Sequence, residues 1–212
     1  MSPIEAIISD FGGVLTSPLE DAFRGFAADS SIPLGALGTA MAAYGEELGA
    51  NPLYELETGR LTEREFVAGV GAALRANGHP GANMDEFARG WFTHLRPNEQ
   101  LFDYYRSLAA RGLRFAVCTN NVREWEPLWR AMLPIDEIFE TVVDSGFVGV
   151  RKPDPEIYRL TLERLGGVAP ERVVFVDDFE HNCEAARALG MTAVRFETTA
   201  QTIAEIDAAL GG

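Results

Sequence analysis

Residues 172–191 read RVVFVDDFEHNCEAARALGM, and the fold follows from how this stretch divides. Val173 to Val176 is an unbroken apolar, mostly β-branched run, the pattern of a strand covered on both faces rather than one alternating toward water. Two acids, Asp177 and Asp178, end it. The alanine-rich CEAARALGM that follows suits a helix stopping at Gly190, because glycine takes the left-handed conformation that closes helices. Just upstream, EIYRLTLERLG predicts a helix ending at Gly166 and Gly167, and just downstream TAVRF predicts a strand ending near Glu197. IEAIIS ending at Asp10, RFAVC ending at Thr119 and a weaker candidate, TVVD at Thr141 to Asp144, repeat the strand pattern. Strands alternating with helices predict an α/β fold with a parallel sheet covered on both faces.

One connection breaks the rhythm. About a hundred residues separate Asp10 from Arg114, whereas a whole βαβ unit needs only about 30. The excess carries helical spacing, as in Leu61, Phe66, Val67, Val70 and Leu74 after the cap-like Thr62, and turn-rich pieces such as ANGHPGAN at 76–83. This predicts a sheet-containing core of residues 1–15 and 96–212, with a small helical cap, residues 16–95, inserted after the first strand.

A chain of 212 residues, 47% apolar and 24% charged, has the composition of a water-soluble globule. No apolar run reaches the roughly 20 residues of a membrane span, and the short apolar stretch near the start lacks the basic flank of a secretory signal. A cytoplasmic protein with no membrane partner is expected. The 32 acidic and 18 basic residues give a charge of −14, which repels polyanions, so nucleic acid is not an expected partner. Cys118 and Cys183 have no ligand-like spacing and read as small core residues.

Ligands of open α/β sheets bind outside the carboxyl ends of the strands, which directs attention to Asp10, to Thr119 with Asn120 and Asn121, to Asp177 with Asp178, and to the basic pair Arg151 and Lys152. Singly, an aspartate or threonine after a strand is also a turn former or helix cap. Together, three carboxylates resist shared ionisation unless a cation neutralises them. An all-oxygen ligand set points to magnesium, and magnesium beside a lysine can hold a phosphoryl group. An adjacent aspartate can then act as nucleophile. The expected substrate is a small phosphorylated molecule.

The segments ISDFGGVLT (8–16), VCTNN (117–121), GVRKPDPEIY (149–158) and VVFVDDFEHNCEAARALGM (173–191) resemble, in order, the four motifs of the haloacid dehalogenase-like superfamily. The resemblance runs from Ile4 to about Phe196. It implies a Rossmann-like core with an inserted helical cap and a magnesium-dependent phosphatase forming an aspartyl-phosphate. Asp10 becomes nucleophile and metal ligand, Thr119 a phosphoryl contact backed by Asn120, and Lys152 the neutralising cation. Asp178, with Asp177 beside it, completes the metal site, to which Gly12 lends its backbone carbonyl. Asn182 is expected to hydrogen-bond within its loop and helix.

Phosphatases of this family carry a second aspartate two residues after the nucleophile, as general acid and base. Here Gly12 stands in that place, and glycine can do neither. Three readings stay open: a phosphatase whose proton donor lies elsewhere, a dehalogenase, and a binding module with impaired catalysis. Dehalogenases also lack that aspartate, though without the paired acids seen at 177 and 178. His181, His94 and His79 are the candidate histidines, with His79 expected in solvent. Phe23, Phe26, Tyr44 and Tyr54 read either as pocket lining or as helix core, and Arg24 as an anion contact or a solvated surface residue.

Overall fold

Each of the five apolar runs is a strand: β1 (Ala6–Ser9), β2 (Arg114–Thr119), β3 (Thr141–Asp144), β4 (Val173–Asp177) and β5 (Thr192–Arg195). The computed structural model describes residues 3–30, 32–84 and 86–211. The strands form one parallel sheet in the order β3-β2-β1-β4-β5. Ser9 lies opposite Val117 and Val176, and Thr119 opposite Asp144. This register brings the carboxyl ends of β1, β2 and β4 to one edge, so Asp10, Asn120 and Asp178 all follow a strand there.

Eleven described helices complete the chain. Five lie between β1 and Pro97: α1 (Leu19–Ser30), α2 (Leu34–Leu48), α3 (Pro52–Glu57), α4 (Glu63–Ala76) and α5 (Phe87–Thr93). Then come α6 (Glu99–Ala109) before β2, α7 (Glu126–Arg130) after it, α8 (Ser145–Val148) after β3, α9 (Pro155–Arg164), α10 (Glu180–Ala188) and α11 (Thr199–Leu210). Ile7, Val117 and Val174 pack on one sheet face with Tyr105 and Leu108 of α6 and Ile206 of α11. Ile8, Cys118 and Phe175 pack on the other with Ile157 and Tyr158 of α9 and Ala186 of α10. A sheet sandwiched in this way is apolar on both faces at its centre, which is why β1, β2 and β4 read as nearly continuous apolar runs, while the edge strands β3 and β5 are partly exposed. Both cysteines are buried and free. Among the described residues, no helix is long and apolar enough to cross a membrane.

The chain leaves the sheet and returns to it side by side. Thr16 and Pro97 form an antiparallel bridge, Ser17 N–H donates to the Arg96 carbonyl (2.7 Å) and Asn98 N–H to that of Leu15 (2.8 Å). The Asn98 amide also donates to the Val14 carbonyl (2.9 Å). Between these points α1 packs on α5 and α2 on α4. Helix α4 begins at Thr62 with a reciprocal capping box to Glu65, satisfying two donors that a helix start leaves open. The α1–α5 contact depends on Gly25, where a Cβ atom would lie 2.1 Å from the His94 ring.

Asp144 at the end of β3 is buried and caps α8, accepting from Gly146 N–H (2.8 Å). Its other oxygen is buried without a partner. Burial pushes this carboxyl from 3.8 to about 6, against the pull of the Gly146 N–H.

Two stability outcomes follow. Alanine favours a helix interior over glycine by about 1 kcal/mol, yet Gly25→Ala should lower stability by about 1–2 kcal/mol, because overpacking forces His94 aside; a raised urea midpoint would contradict the close approach. For Asp144, the folded state binds a proton more tightly than the unfolded chain, so stability falls as pH rises from about 4 through 6. Asp144→Asn should gain about 2–3 kcal/mol on the native protein over that window, and urea curves that stay parallel across the pH series would refute it.

Candidate active site

Strand β1 delivers Asp10 to the sheet edge, and the Asp10 N–H bonds to the Val176 carbonyl (2.8 Å), carrying the β1–β4 ladder one residue further. Its Oδ1 accepts from Phe11 N–H (2.7 Å) and contacts Lys152 Nζ (2.9 Å). Both contacts fall on one oxygen, which leaves Oδ2 for another partner. Lys152 is fully buried, and its ammonium also donates to Asp177 Oδ2 (2.6 Å). Burial penalises that ammonium, but Asp10 and Asp177 outweigh the penalty and hold its pKa above the ordinary lysine value.

The partners of these groups separate their roles. Asn120 clamps the Lys152 main chain from both sides: its Oδ1 accepts the Lys152 N–H (2.7 Å) and its Nδ2 donates to the Lys152 carbonyl (3.0 Å). Asp177 is committed as well, since Oδ2 takes the lysine while Oδ1 accepts from Phe179 N–H (2.9 Å) and the Asn182 amide (2.9 Å). Asn182 thus has the loop-to-helix bonding role expected of it. Asp178 differs: its Oδ1 is buried with no hydrogen-bond partner.

Carboxylate oxygens of Asp10, Asp177 and Asp178 lie within 4.8 Å of one another. Burial, together with Asp177 and Asp178, pushes the Asp10 carboxyl up to about 7 against the pull of Lys152. Burial and Asp177 push Asp178 up to about 6. A site with more anionic oxygens than one lysine can balance is suited to a cation. Gly13 permits the crowding: it sits at φ +79°, and a Cβ there would come within 2.6 Å of Asp178 Oδ2.

Beside this cluster a cavity of about 110 Å³ lies between the sheet edge and the inserted helices. Phe11, Gly12, Thr119, Asn120 and Val122 line it from the sheet side, and Leu19, Phe23, Met41, Leu53, Trp91 and Phe92 from the helices. Among the described residues, the only ionisable one in its wall is Glu57, paired with Arg151 (2.7 Å). Burial raises the Glu57 carboxyl, opposed by Arg151. A broader depression of about 670 Å³ between α4 and residues 80–84 has none of the strand-end residues in its wall.

Asp10, Gly12, Thr119, Asn120, Lys152, Asp177 and Asp178 therefore gather at one edge. The histidines do not join them: His94 pairs with Asp29 (2.7 Å) and His181 lies against the exposed Phe179. Of the aromatics read in two ways, Phe23 lines the cavity, Phe26 is core, and the exposed Tyr54 lies under the Arg151 guanidinium. Arg24 is exposed and pairs with Glu20. Sequence reading missed the Glu57–Arg151 pair and the walls formed by Trp91, Phe92 and Trp125. The basic residue next to Lys152 was the one available hint of the former.

The haloacid dehalogenase-like hydrolase family matches residues 4–190. Relatives include mouse acyl-CoA dehydrogenase family member 10 (27% identical, 97% of this chain) and mouse bifunctional epoxide hydrolase 2 (28%, 95% of this chain). The chain spans only 19% and 38% of those proteins. A sesquiterpene phosphatase from Aspergillus oryzae is 26% identical and matches over 98% of this chain and 97% of its own length. Among solved structures, a predicted HAD-like hydrolase from Porphyromonas gingivalis superposes at TM-score 0.73 with 23% identity over the whole of both chains. A HAD family enzyme from Bacteroides thetaiotaomicron, in complex with magnesium and inorganic phosphate, superposes at 0.68 with 21% identity over 92% of this chain and 94% of that one. The shared fold, and motifs that converge on one sheet edge within the matched residues, identify this chain as a member of the haloacid dehalogenase-like hydrolases.

Proposed function

We propose that the protein is a magnesium-dependent phosphatase of small phosphomonoesters, with Asp10 as nucleophile. The observation that carries this reading is the orphaned, buried Oδ1 of Asp178, a residue whose carboxylate belongs to a cluster that a single lysine leaves under-neutralised. Such an oxygen set fits a hard divalent cation. Asp10, Asp178 and the Gly12 carbonyl would hold magnesium, and Asp177, whose oxygens are already bonded, would position Lys152 and the loop after β4. Bound magnesium supplies charge neutralisation and Lewis acidity at a phosphoryl oxygen. We assign residues 16–95 as the cap that covers the site and excludes water, over a core of residues 1–15 and 96–212.

In this reading an Asp10 carboxylate oxygen attacks phosphorus, forming a P–O bond as the ester P–O bond breaks. The alcohol leaves with a proton from water. A second water then attacks phosphorus, giving a proton to the hydroxide left by the first, the bond to Asp10 breaks, and inorganic phosphate departs with the carboxylate restored. Lys152 offsets charge on both nucleophile and phosphoryl group throughout, held in place by Asn120 and Asp177, while the Thr119 hydroxyl contacts the phosphoryl group. With Gly12 in the acid position, the departing alcohol lacks a side-chain donor, which makes hydrolysis slow.

Dehalogenation is the second reading, favoured by Gly12 and by the apolar cavity beside Asp10. There Asp10 displaces halide from carbon, and no metal is needed. The intact Asp178 carboxylate favours the phosphatase.

Phosphate release from acetyl phosphate and simple alkyl phosphates should require magnesium and fall by about 10³-fold or more in Asp10→Asn. Chloride release from 2-haloacids that persists in chelator, without phosphate release, would decide for dehalogenation instead. At Gly12 the nearest atoms to a Cβ would be those of the Leu19 side chain, the closest a terminal methyl at 3.2 Å, which can give way. Gly12→Asp should therefore raise alkyl phosphate turnover by about 10²-fold or more; unchanged turnover would mean that the missing acid does not limit the reaction.

A further inference from the structure

We infer that the alcohol part of the substrate is a compact hydrocarbon group of about four or five carbons, seated in the cavity between the sheet edge and the inserted helices; this rests on the phosphatase reading above. The cavity opens beside Gly12 and Thr119, so an ester whose phosphorus meets Asp10 directs its organic group into it. Its far walls are Phe23, Met41, Leu53, Trp91, Phe92 and Trp125. Among the described residues, the buried indole N–H of Trp125 has no partner and can answer one hydroxyl, but a sugar or glycerol group brings two or more, and each hydrogen bond to water left unreplaced weakens binding by about tenfold or more.

The polar groups at the cavity's near end are largely committed. The Asn120 amide holds the Lys152 main chain, and Asn121 Oδ1 accepts from Val122 N–H (2.9 Å). Glu57 is held by Arg151, which also stacks on Tyr54, so the pair presents no free cation to a second anionic group. Size sets the chain length: an apolar protein cavity of roughly 150 Å³ takes benzene, and this one measures about 110 Å³. The replacement of the usual carboxyl by Gly12 fits the same occupant, because a carboxylate at that place would line the entrance to an apolar chamber.

The test is a series of n-alkyl phosphates from methyl to octyl, with magnesium, alongside glycerol 3-phosphate and acetyl phosphate. The leaving alcohols are nearly equally basic, so the series varies burial and not chemistry. We expect kcat/KM to climb about fourfold per methylene up to about five carbons and then level off, with pentyl phosphate about 10²-fold or more above glycerol 3-phosphate. In Met41→Trp, which fills the chamber, the optimum should move to shorter chains. A flat series, or preference for glycerol 3-phosphate, would overturn the inference while leaving the phosphatase reading intact. In parallel, n-pentylphosphonate and methylphosphonate are titrated against the fluorescence of Trp91 and Trp125. Tighter binding of the pentyl compound, by about 10²-fold, without turnover of any ester would uphold the apolar chamber and reject the phosphatase; equal binding would reject the chamber.

Discussion

An ammonium group sealed from water needs its charge answered at short range, and Lys152 is answered twice. Removing two or three charges from solvent costs several kcal/mol per ion unless the geometry returns it, so Asp10, Lys152 and Asp177 must keep their places together. Each comes from a different part of the chain: the end of β1, the loop before α9 and the end of β4. Asn120, at the end of β2, fixes the lysine's main chain. The alignment of three strand ends is thus an electrostatic requirement as well as a consequence of sheet register.

This arrangement divides the site in two. On one side lie carboxylates, a lysine and a crowded glycine turn, where charge is dense and water is scarce. On the other lies a chamber walled by aromatic and aliphatic side chains. Gly12 sits on the border. A residue with a polar side chain there would extend the charged half, whereas glycine lets the two halves meet directly beside Asp10. The cavity's small volume and the cation-poor wall then bias the site toward short, uncharged organic groups.

Much of this was legible in the chain itself. The central strands β1, β2 and β4 are covered on both faces and apolar almost without interruption, so they could be read directly, while the edge strands β3 and β5 are partly exposed and carry polar residues; apart from Lys152, which lies in a loop, the site residues could be read because they end or follow the central strands. The insertion showed as a connection too long for its topology. What escaped was direction. No spacing reveals that Asp177 turns toward Lys152 and Asn182 while Asp178 leaves an oxygen unpaired, because both follow the same strand. Nor does helical periodicity separate Phe23, which faces the chamber, from Phe26, three residues on and buried in the helix packing. His94 looked near enough to the cleft to matter, but its partner Asp29 lies on α1, 65 positions earlier in the chain, a pairing only the folded insertion creates.

The paired exit and return of the chain at Ser17 and Arg96 has an evolutionary consequence. Because those points are hydrogen-bonded neighbours, the closure of the inserted segment is set locally, and the entropy of a longer or shorter insert changes only slowly with its length. Lineages can therefore lengthen, trim or reshape the helices without shifting the register of β1 and β2. The charged half of the site is inherited with the sheet, while the apolar half is free to diversify, so relatives that share the charged half can come to enclose quite different organic groups.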